Sequence, residues 1–502
     1  MSRDPRPRET APAAGLLRRL AANSAWTLAG QGVPVLVAVG VTPALVRLLG
    51  DDRLGVLSIV WAVLGYVGIF EFGIGRALTR SVARSLAARP GGGADQVWPG
   101  LAALGLLGVG VAVAVAAAAP WLAQHVLRVP TEYQAEATRA FFGVAAAAPF
   151  VLLATGLRGI LEAYGEFRAL SLVRSAAGSL MFLGPWLVCR QWPDLGAVVA
   201  VLWGTRAATC AVLIHLCWTR TTELRQPWRW RSGELRRMLG YGGWITVSQL
   251  AGSAMSLADR LLLGALGSAR AVAYYATPHE ILSRGTILSS SLATAVFPDF
   301  ARAAEHPARA AALFTHAGRW LLWVLGPCCL LLAAAAPELA GWWLGPRFAA
   351  HAAPLLSWMI AATLLGSFVL VPVALLQGRG CPAPFARFQL LALPAVVGIL
   401  TVAIPRAGVL ASAVVLAARA AGETAVAAAL ACRELPAVRP AAVRLAALFL
   451  FCAAGVVGLG VFATVAERLA AAGVLSILLL WAGERFLFRG LARPLPMRPA
   501  GA

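Results

Sequence analysis

The chain is a succession of long apolar runs with very little between them, and that pattern leaves few folds open. A hydrocarbon core of roughly 30 Å is crossed by about 20 helical residues at ~1.5 Å each. About fourteen runs are long enough. They lie near 23–48, 54–77, 98–119, 140–161, 169–189, 195–217, 238–265, 271–297, 311–336, 351–377, 384–404, 407–431, 442–465 and 468–488. A soluble chain of 502 residues would divide into about three domains. Here charged residues make up only 13%, about half the roughly 25% of soluble domains. Hydrophobic residues make up 60%. So few charges cannot cover that much apolar surface, so the expected class is an all-α, polytopic membrane protein with about 14 spans.

The charges that remain are informative. The 43 basic residues outnumber 22 acidic ones and are all arginine. A nucleic-acid binder gathers such charge on one soluble face; here it is spread between apolar runs, which excludes that class. With the segment before the first run labelled inside, inside segments hold roughly three times the arginines of outside ones. The densest stretch runs from Arg220 to Arg237. This predicts both termini in the cytoplasm, and contacts between cytoplasmic arginines and anionic lipid headgroups. Arg76, Arg206, Arg260, Arg284 and Arg419 fall inside runs. The eight cysteines contain no C-x-x-C pair and the six histidines are scattered, so no metal site is expected. No G-x-x-x-x-G-K loop occurs, so no nucleotide or other cofactor is expected. The Arg/Pro-rich start is not expected to be a cleavable signal peptide.

The sequence is also duplicated. Asn23-Ser-Ala-Trp26 is echoed by Tyr241-Gly-Gly-Trp244, Leu49-Gly50 by Leu266-Gly267, Ala83-Arg84 by Ala301-Arg302, and Leu161-Glu-Ala-Tyr-Gly165 by Leu376-Gln-Gly-Arg-Gly380. The nearly constant offset predicts two six-helix lobes of the same topology, a parallel repeat. The expected organisation is a cytoplasmic segment 1–20, an N-lobe 21–218, a basic linker 219–237, a C-lobe 238–432, a helix pair 433–490 and a cytoplasmic tail 491–502. Gly105, Gly108, Gly455 and Gly458 are expected at close helix contacts, because lipid gives helices no hydrophobic reason to associate.

Several of these residues carry a family resemblance. Asn23-Ser-Ala-Trp26, Pro43-Ala-Leu-Val-Arg47-Leu-Leu-Gly50, Gly65-Tyr66 and Glu71-Phe-Gly73-Ile-Gly75-Arg76 resemble the opening of polysaccharide-biosynthesis, or O-antigen-unit, flippases. Tyr241-Gly-Gly-Trp244, Asp259-Arg260, Tyr274-Tyr275, Pro278 and Phe297-Pro298 resemble the start of their second half. That family belongs to the multidrug/oligosaccharidyl-lipid/polysaccharide (MATE-like) exporter superfamily. The resemblance implies two lobes around a central cavity and a polyprenyl-diphosphate-linked saccharide moved to the outer leaflet of a bacterial cytoplasmic membrane. Glu71 stands where many members have Asp. An Asn-Leu-Leu-Arg-type stretch, typical of the lipid II flippase, is absent after the first run, which favours the saccharide-unit branch.

Trp244, Ser248, Gly252, Ser256 and Arg260 recur at i+4, with Gln249, Ser253 and Asp259 close by. Such a stripe does not belong in lipid. Asn23, Thr27 and Gln31 repeat the idea in the first run, and Thr277, Glu280, Arg284 and Ser291 in the eighth. These faces either line a cavity or hydrogen-bond helix to helix. Arginine stays protonated and forks onto phosphate oxygens. Arg260 and Arg284 are therefore the leading contacts for a diphosphate, followed by Arg47 and Arg76, with Gln31, Ser248 and Ser256 as polar lining. Glu71, Asp259 and Glu280 could bind a coupling ion or simply neutralise nearby arginines. Arg206 and Arg419 are read as structural, the latter beside Glu423.

Two other classes compete: a multidrug or other lipid exporter, and a membrane-embedded polymerase or glycosyltransferase using Asp51 and Asp52. Those two carboxylates are better read as capping a helix start. A flippase would work beside a polysaccharide polymerase or ligase. The topology is directly testable. Reporter fusions at Ala94, Gly196 and Gly345 should report inside, outside and outside; reversal at either of the last two breaks the map.

Overall fold

In the computed structural model the residues described are 25–38, 67–88, 94–121, 134–192, 195–226, 232–266, 269–344, 346–462 and 464–488, with isolated positions between 40 and 48. Among them every regular element is a helix. The long helices are α1 (Ala25–Ala38), then α2 (Ile74–Ala88), α3 (Ala94–Trp121), α4 (Gln134–Tyr164), α5 (Phe167–Cys189), α6 (Leu195–Arg220) and α7 (Ser232–Leu266). There follow α8 (Ala269–Arg284), α9 (Thr286–Arg302), α10 (Pro307–Leu344), α11 (Pro346–Arg379), α12 (Ala383–Glu434), α13 (Arg439–Gly458) and α14 (Val465–Phe488). Nine of the described helices are long and apolar enough to cross a membrane. The eighth run, expected as one span, is divided at Gly285 into α8 and α9.

α12 is not one straight rod. Gly408 has φ 60° and ψ −142°, a conformation essentially open only to glycine. Thirty-four residues of straight helix would separate Gln389 from Glu423 by about 51 Å. Their side chains instead share a hydrogen bond, and Phe385 and Ala427 belong to one buried cluster. The chain therefore doubles back at Gly408, as two successive apolar runs require.

The chain forms two compact units, Met1–Thr246 and Val247–Ala502. In the first, α4 is the central helix, packed on α2, α3 and α6. In the second, α11 has that role, against α9, α10, α12 and α13. These two helices also end alike. Gly165 (φ 78°) and Gly380 (φ 90°) take the left-handed conformation. At the first, the amide of Glu166 donates to the Leu161 carbonyl at 3.0 Å and Gly165 to Glu162 at 3.0 Å. At the second, Cys381 donates to Leu376 at 2.8 Å and Gly380 to Gln377 at 2.9 Å. Both are Schellman caps, which satisfy the last free carbonyls of a helix. The short sequence echo at 161–165 and 376–380 is thus one capping motif used twice.

Backbone contact holds the first unit together. The turn before α2 places Phe72 (φ 46°) and Gly73 (φ 66°) in left-handed conformation. A Cβ on Gly73 would lie 2.5 Å from the Gly242 carbonyl oxygen, and one on Gly242 would lie 2.2 Å from the Phe72 carbonyl oxygen. The Glu71-Phe-Gly73 and Tyr241-Gly-Gly-Trp244 motifs therefore meet, with Arg80 5.1 Å from the Tyr241 ring centre. One turn on, a Cβ at Gly159 would sit 2.5 Å from the Gly75 carbonyl oxygen, locking α4 to α2. Of the glycines expected at close contacts, a Cβ on Gly108 would lie 2.5 Å from the Pro149 Cα and one on Gly455 would lie 3.2 Å from the Leu475 side chain. Gly105 makes only an ordinary contact, and Gly458 has open space.

These contacts predict a sharp difference between neighbours. Gly242→Ala should destabilise the first unit by about 2–3 kcal/mol through forced overpacking. Gly243→Ala, which meets nothing within 4 Å, should be neutral or slightly stabilising. Thermal unfolding of the two purified variants checks this.

Candidate functional site

The richest polar assembly of the second unit is built on α7. Its most buried line is Ala251, Met255, Asp259 and Leu263, four residues apart and hence one stripe. Asp259 is the single charged member and is only 2% exposed. Tyr275 on α8 donates its hydroxyl to Asp259 Oδ2 at 3.1 Å, and its ring stacks on His279 at 5.6 Å. Arg419 supplies the dominant positive field at Asp259, with Arg260 contributing less. Arg419 Nε also lies 3.9 Å from Glu423 Oε1, one turn along its own helix. Glu423 shares a side-chain hydrogen bond with Gln389, and the Ser248 hydroxyl donates to Gln389 Oε1. Two carboxylates thus stand among two arginines, with Gln389 and Tyr275 bonded to the carboxylates, while Nε and Nη1 of Arg419 are buried with no hydrogen-bond partner among the described residues. The buried carboxylates persist because opposite charge and hydrogen bonds offset their burial.

The expected stripe flanks that line. Ser248, Gly252, Ser256 and Arg260 are half-buried, while Gln249 and Ser253 are exposed. A Cβ on Gly252 would come 4.0 Å from Gln389, so the upper part of the stripe faces α12. Arg284, the last residue of α8, is exposed. Beside it is an apolar groove of about 400 Å³, lined by Pro278 and Ile281 of α8, Leu332 and Leu339 of α10, and Leu356 and Ile360 of α11. Arg284 is three residues beyond Ile281 and so shares its side of the helix. The side chain of Glu280 lies outside the described residues.

In the first unit Thr27 is buried and Gln31 half-buried. Their helix packs on α5, where a Cβ at Gly30 would lie 3.0 Å from the Ser171 Cα and Pro34 sits 2.6 Å from the equivalent point on Gly178. Glu71 and Arg76 are half-buried around the Phe72–Gly73 turn, and Glu71 Oε2 lies 3.0 Å from where a Gly75 Cβ would be. Asn23, Arg47, Asp51 and Asp52 lie outside the described residues. The structure brings together Ser248, Asp259 and Arg260 with three residues that were not among the site candidates: Gln389, Tyr275 and Glu423. Arg158 and Arg174 also lie within helices α4 and α5, inside the fourth and fifth apolar runs, and are not among the sequence's site candidates. Among the described residues no cluster of His, Cys, Asp and Glu could hold a metal.

Comparison with known proteins defines the class. The fold matches a MATE transporter of Vibrio cholerae with TM-score 0.72 at 14% identity, over 85% of this chain and 99% of that one. It matches a MOP-superfamily transporter of Pyrococcus furiosus with TM-score 0.67 at 15% identity, over 89% and 99%. The fold is that of the MATE-like superfamily of multi-pass membrane proteins. The family model for polysaccharide biosynthesis proteins matches residues 20–304, and the chain belongs to that family. It is also 26% identical over 279 residues to a Shigella flexneri protein named "Putative O-antigen transporter", a match spanning 55% of this chain and 65% of that protein.

The network predicts its own energetics. Gln389→Leu removes the shared partner of Ser248 and Glu423 and leaves a buried carboxylate short of a donor. It should cost about 1–3 kcal/mol. Tyr275→Phe should cost about 1 kcal/mol. Thermal melts of both variants in detergent test the pair, and Gln249→Leu on the exposed face of α7 is the neutral comparison.

Proposed function

We propose that this protein is a flippase that moves polyprenyl-diphosphate-linked saccharide units from the inner to the outer leaflet of a bacterial cytoplasmic membrane, for surface polysaccharide synthesis. The observation that carries the reading is the family match over residues 20–304, supported by the MATE-like fold and by a relative named for O-antigen transport. The mechanism proposed is alternating access of two lobes around a cationic central cavity, with both termini in the cytoplasm. No covalent chemistry is needed: the saccharide passes through water-lined protein while the lipid tail stays in hydrocarbon.

The charge pattern favours an anionic cargo. A charge at mid-bilayer costs about 2.5–3.5 kcal/mol on insertion scales, so an arginine kept there needs an anion to offset it. Arg260 and Arg284 are the proposed diphosphate contacts, with Arg47 and Arg76 nearer the entry, and Gln31, Ser248 and Ser256 as neutral lining. Glu71, Asp259 and Glu280 are the carboxylates that a coupling cation would use. The product would pass to a polysaccharide polymerase or ligase on the outer face.

Substitutions that separate charge from geometry test this reading. Arg→Ala at Arg260 or Arg284 should block saccharide export in a protein that still inserts, whereas Arg→Lys keeps the charge, loses the fork and should retain partial export. Wild-type export from both single Ala variants would show the two arginines to be structural.

A further inference from the structure

The two units treat their buried charge differently. In the second, Arg419 and Arg260 stand among Asp259 and Glu423. In the first, Arg158, Arg174 and Arg206 stand on three adjacent helices, and among the described residues Glu162 is the carboxylate that acts on Arg174. Arg158 of α4 acts electrostatically on both Arg174 of α5 and Arg206 of α6. All three arginines are half-buried, and α6 packs on both α4 and α5.

Arg158 is the common neighbour of the other two. Arg206 reaches across to α5, with Nη2 3.4 Å from Met181 Sδ. Met181 is seven residues from Arg174, hence on the same face of α5. On α4, Ala154, Arg158 and Glu162 form one i, i+4 stripe. Arg158 Nε donates to the Ala154 carbonyl of its own helix, at 3.3 Å. Thioether sulfur and an already bonded helix carbonyl are weak acceptors for guanidinium groups. Depth can be read from the helices. Arg158 and Arg174 are each about 9–11 Å from the Gly165–Glu166 turn, and Arg206 is about 21 Å from the end of α6 at Arg220. The arginines form a ladder from the turn toward the middle of the unit.

Arg158 thus has a like charge on two sides, on α5 and on α6, which a low-dielectric interior makes unfavourable, and arginine does not relieve this by losing its proton. The missing component is an anion with several oxygens, which planar guanidinium groups bind in forked pairs. We propose that Arg158, Arg174 and Arg206 form a phosphate-binding site within the first unit that takes the phosphate or diphosphate headgroup of a membrane lipid. Assigning the ligand to a diphosphate-linked cargo rests on the transport reading; the anion site itself does not.

The test uses the full-length protein in phosphatidylcholine nanodiscs, with farnesyl diphosphate, phosphatidylglycerol and inorganic pyrophosphate as probes. Farnesyl diphosphate should raise the melting temperature of the wild-type protein. Arg158→Gln/Arg174→Gln and Arg206→Gln should weaken its binding at least about tenfold. Removing one of several repelling charges should leave the ligand-free melting temperature unchanged or higher, the trade of stability for function expected of a built site. Arg174→Lys, the gentlest change, should fall between. Arg139→Gln, at the exposed start of α4, should match wild type. Equal protection by phosphatidylglycerol, lost in the same variants, would support the site and assign it to a resident phospholipid. Wild-type affinity in the variants, or a lower ligand-free melting temperature with an unchanged ligand response, would overturn it. Saccharide export by the wild-type chain is scored separately, so failure of the binding arm leaves the transport reading standing.

Discussion

A chain that crosses hydrocarbon must satisfy its backbone polar groups internally, and its helices gain nothing hydrophobic by touching one another. What remains is close approach. In the first unit that approach is made backbone to backbone, where Gly73 and Gly242 leave no room for a Cβ. The Phe72–Gly73 turn, the start of α7 and the α2–α4 contact through Gly75 and Gly159 all converge on that small region. The glycines conserve space rather than flexibility, and the neighbouring side chains are arranged around the contact they permit.

Where bulkier residues separate helices, buried polar groups take over the task. The second unit links α7, α8 and both halves of α12 through Ser248, Gln389, Glu423, Arg419, Asp259 and Tyr275. Each group there has an opposite charge or a donor near it, as burial demands. The first unit instead places Arg158, Arg174 and Arg206 on adjacent helices, with Glu162 acting on Arg174. The two units thus differ in electrostatics while each has a central helix, α4 or α11, that ends in a Schellman cap.

Much of this was legible in the sequence, for reasons that also explain what was not. Runs of apolar residues fix helices whatever their neighbours, so α3 to α7 and α10 to α14 follow the hydropathy closely. The paired Leu-x-x-x-Gly echoes were visible because a left-handed cap needs glycine at a set distance from its acceptor carbonyl. Gln389 gave no signal: one amide inside a bland run leaves the average unchanged, and its meaning depends on Ser248, 141 residues away. Arg158 and Arg174 lie a few residues inside the ends of their apolar runs, where an arginine reads as a topology marker. Only the packing of α4, α5 and α6 shows them sharing one neighbourhood. The i+4 stripe on α7 located the right helix, and its most buried line proved to be the adjacent one through Asp259.

The reversal at Gly408 has a consequence for how the chain is threaded. Left straight, Ala383–Glu434 would be a rod of about 78 Å, far longer than a bilayer is thick. No hydrophilic loop marks the turn, and Arg406, two residues before it, bonds back to the Val402 carbonyl at 2.8 Å. One residue with a mirror-image backbone therefore decides how many times the chain changes sides. Each helix after it, α13 and α14, inherits its direction from that glycine.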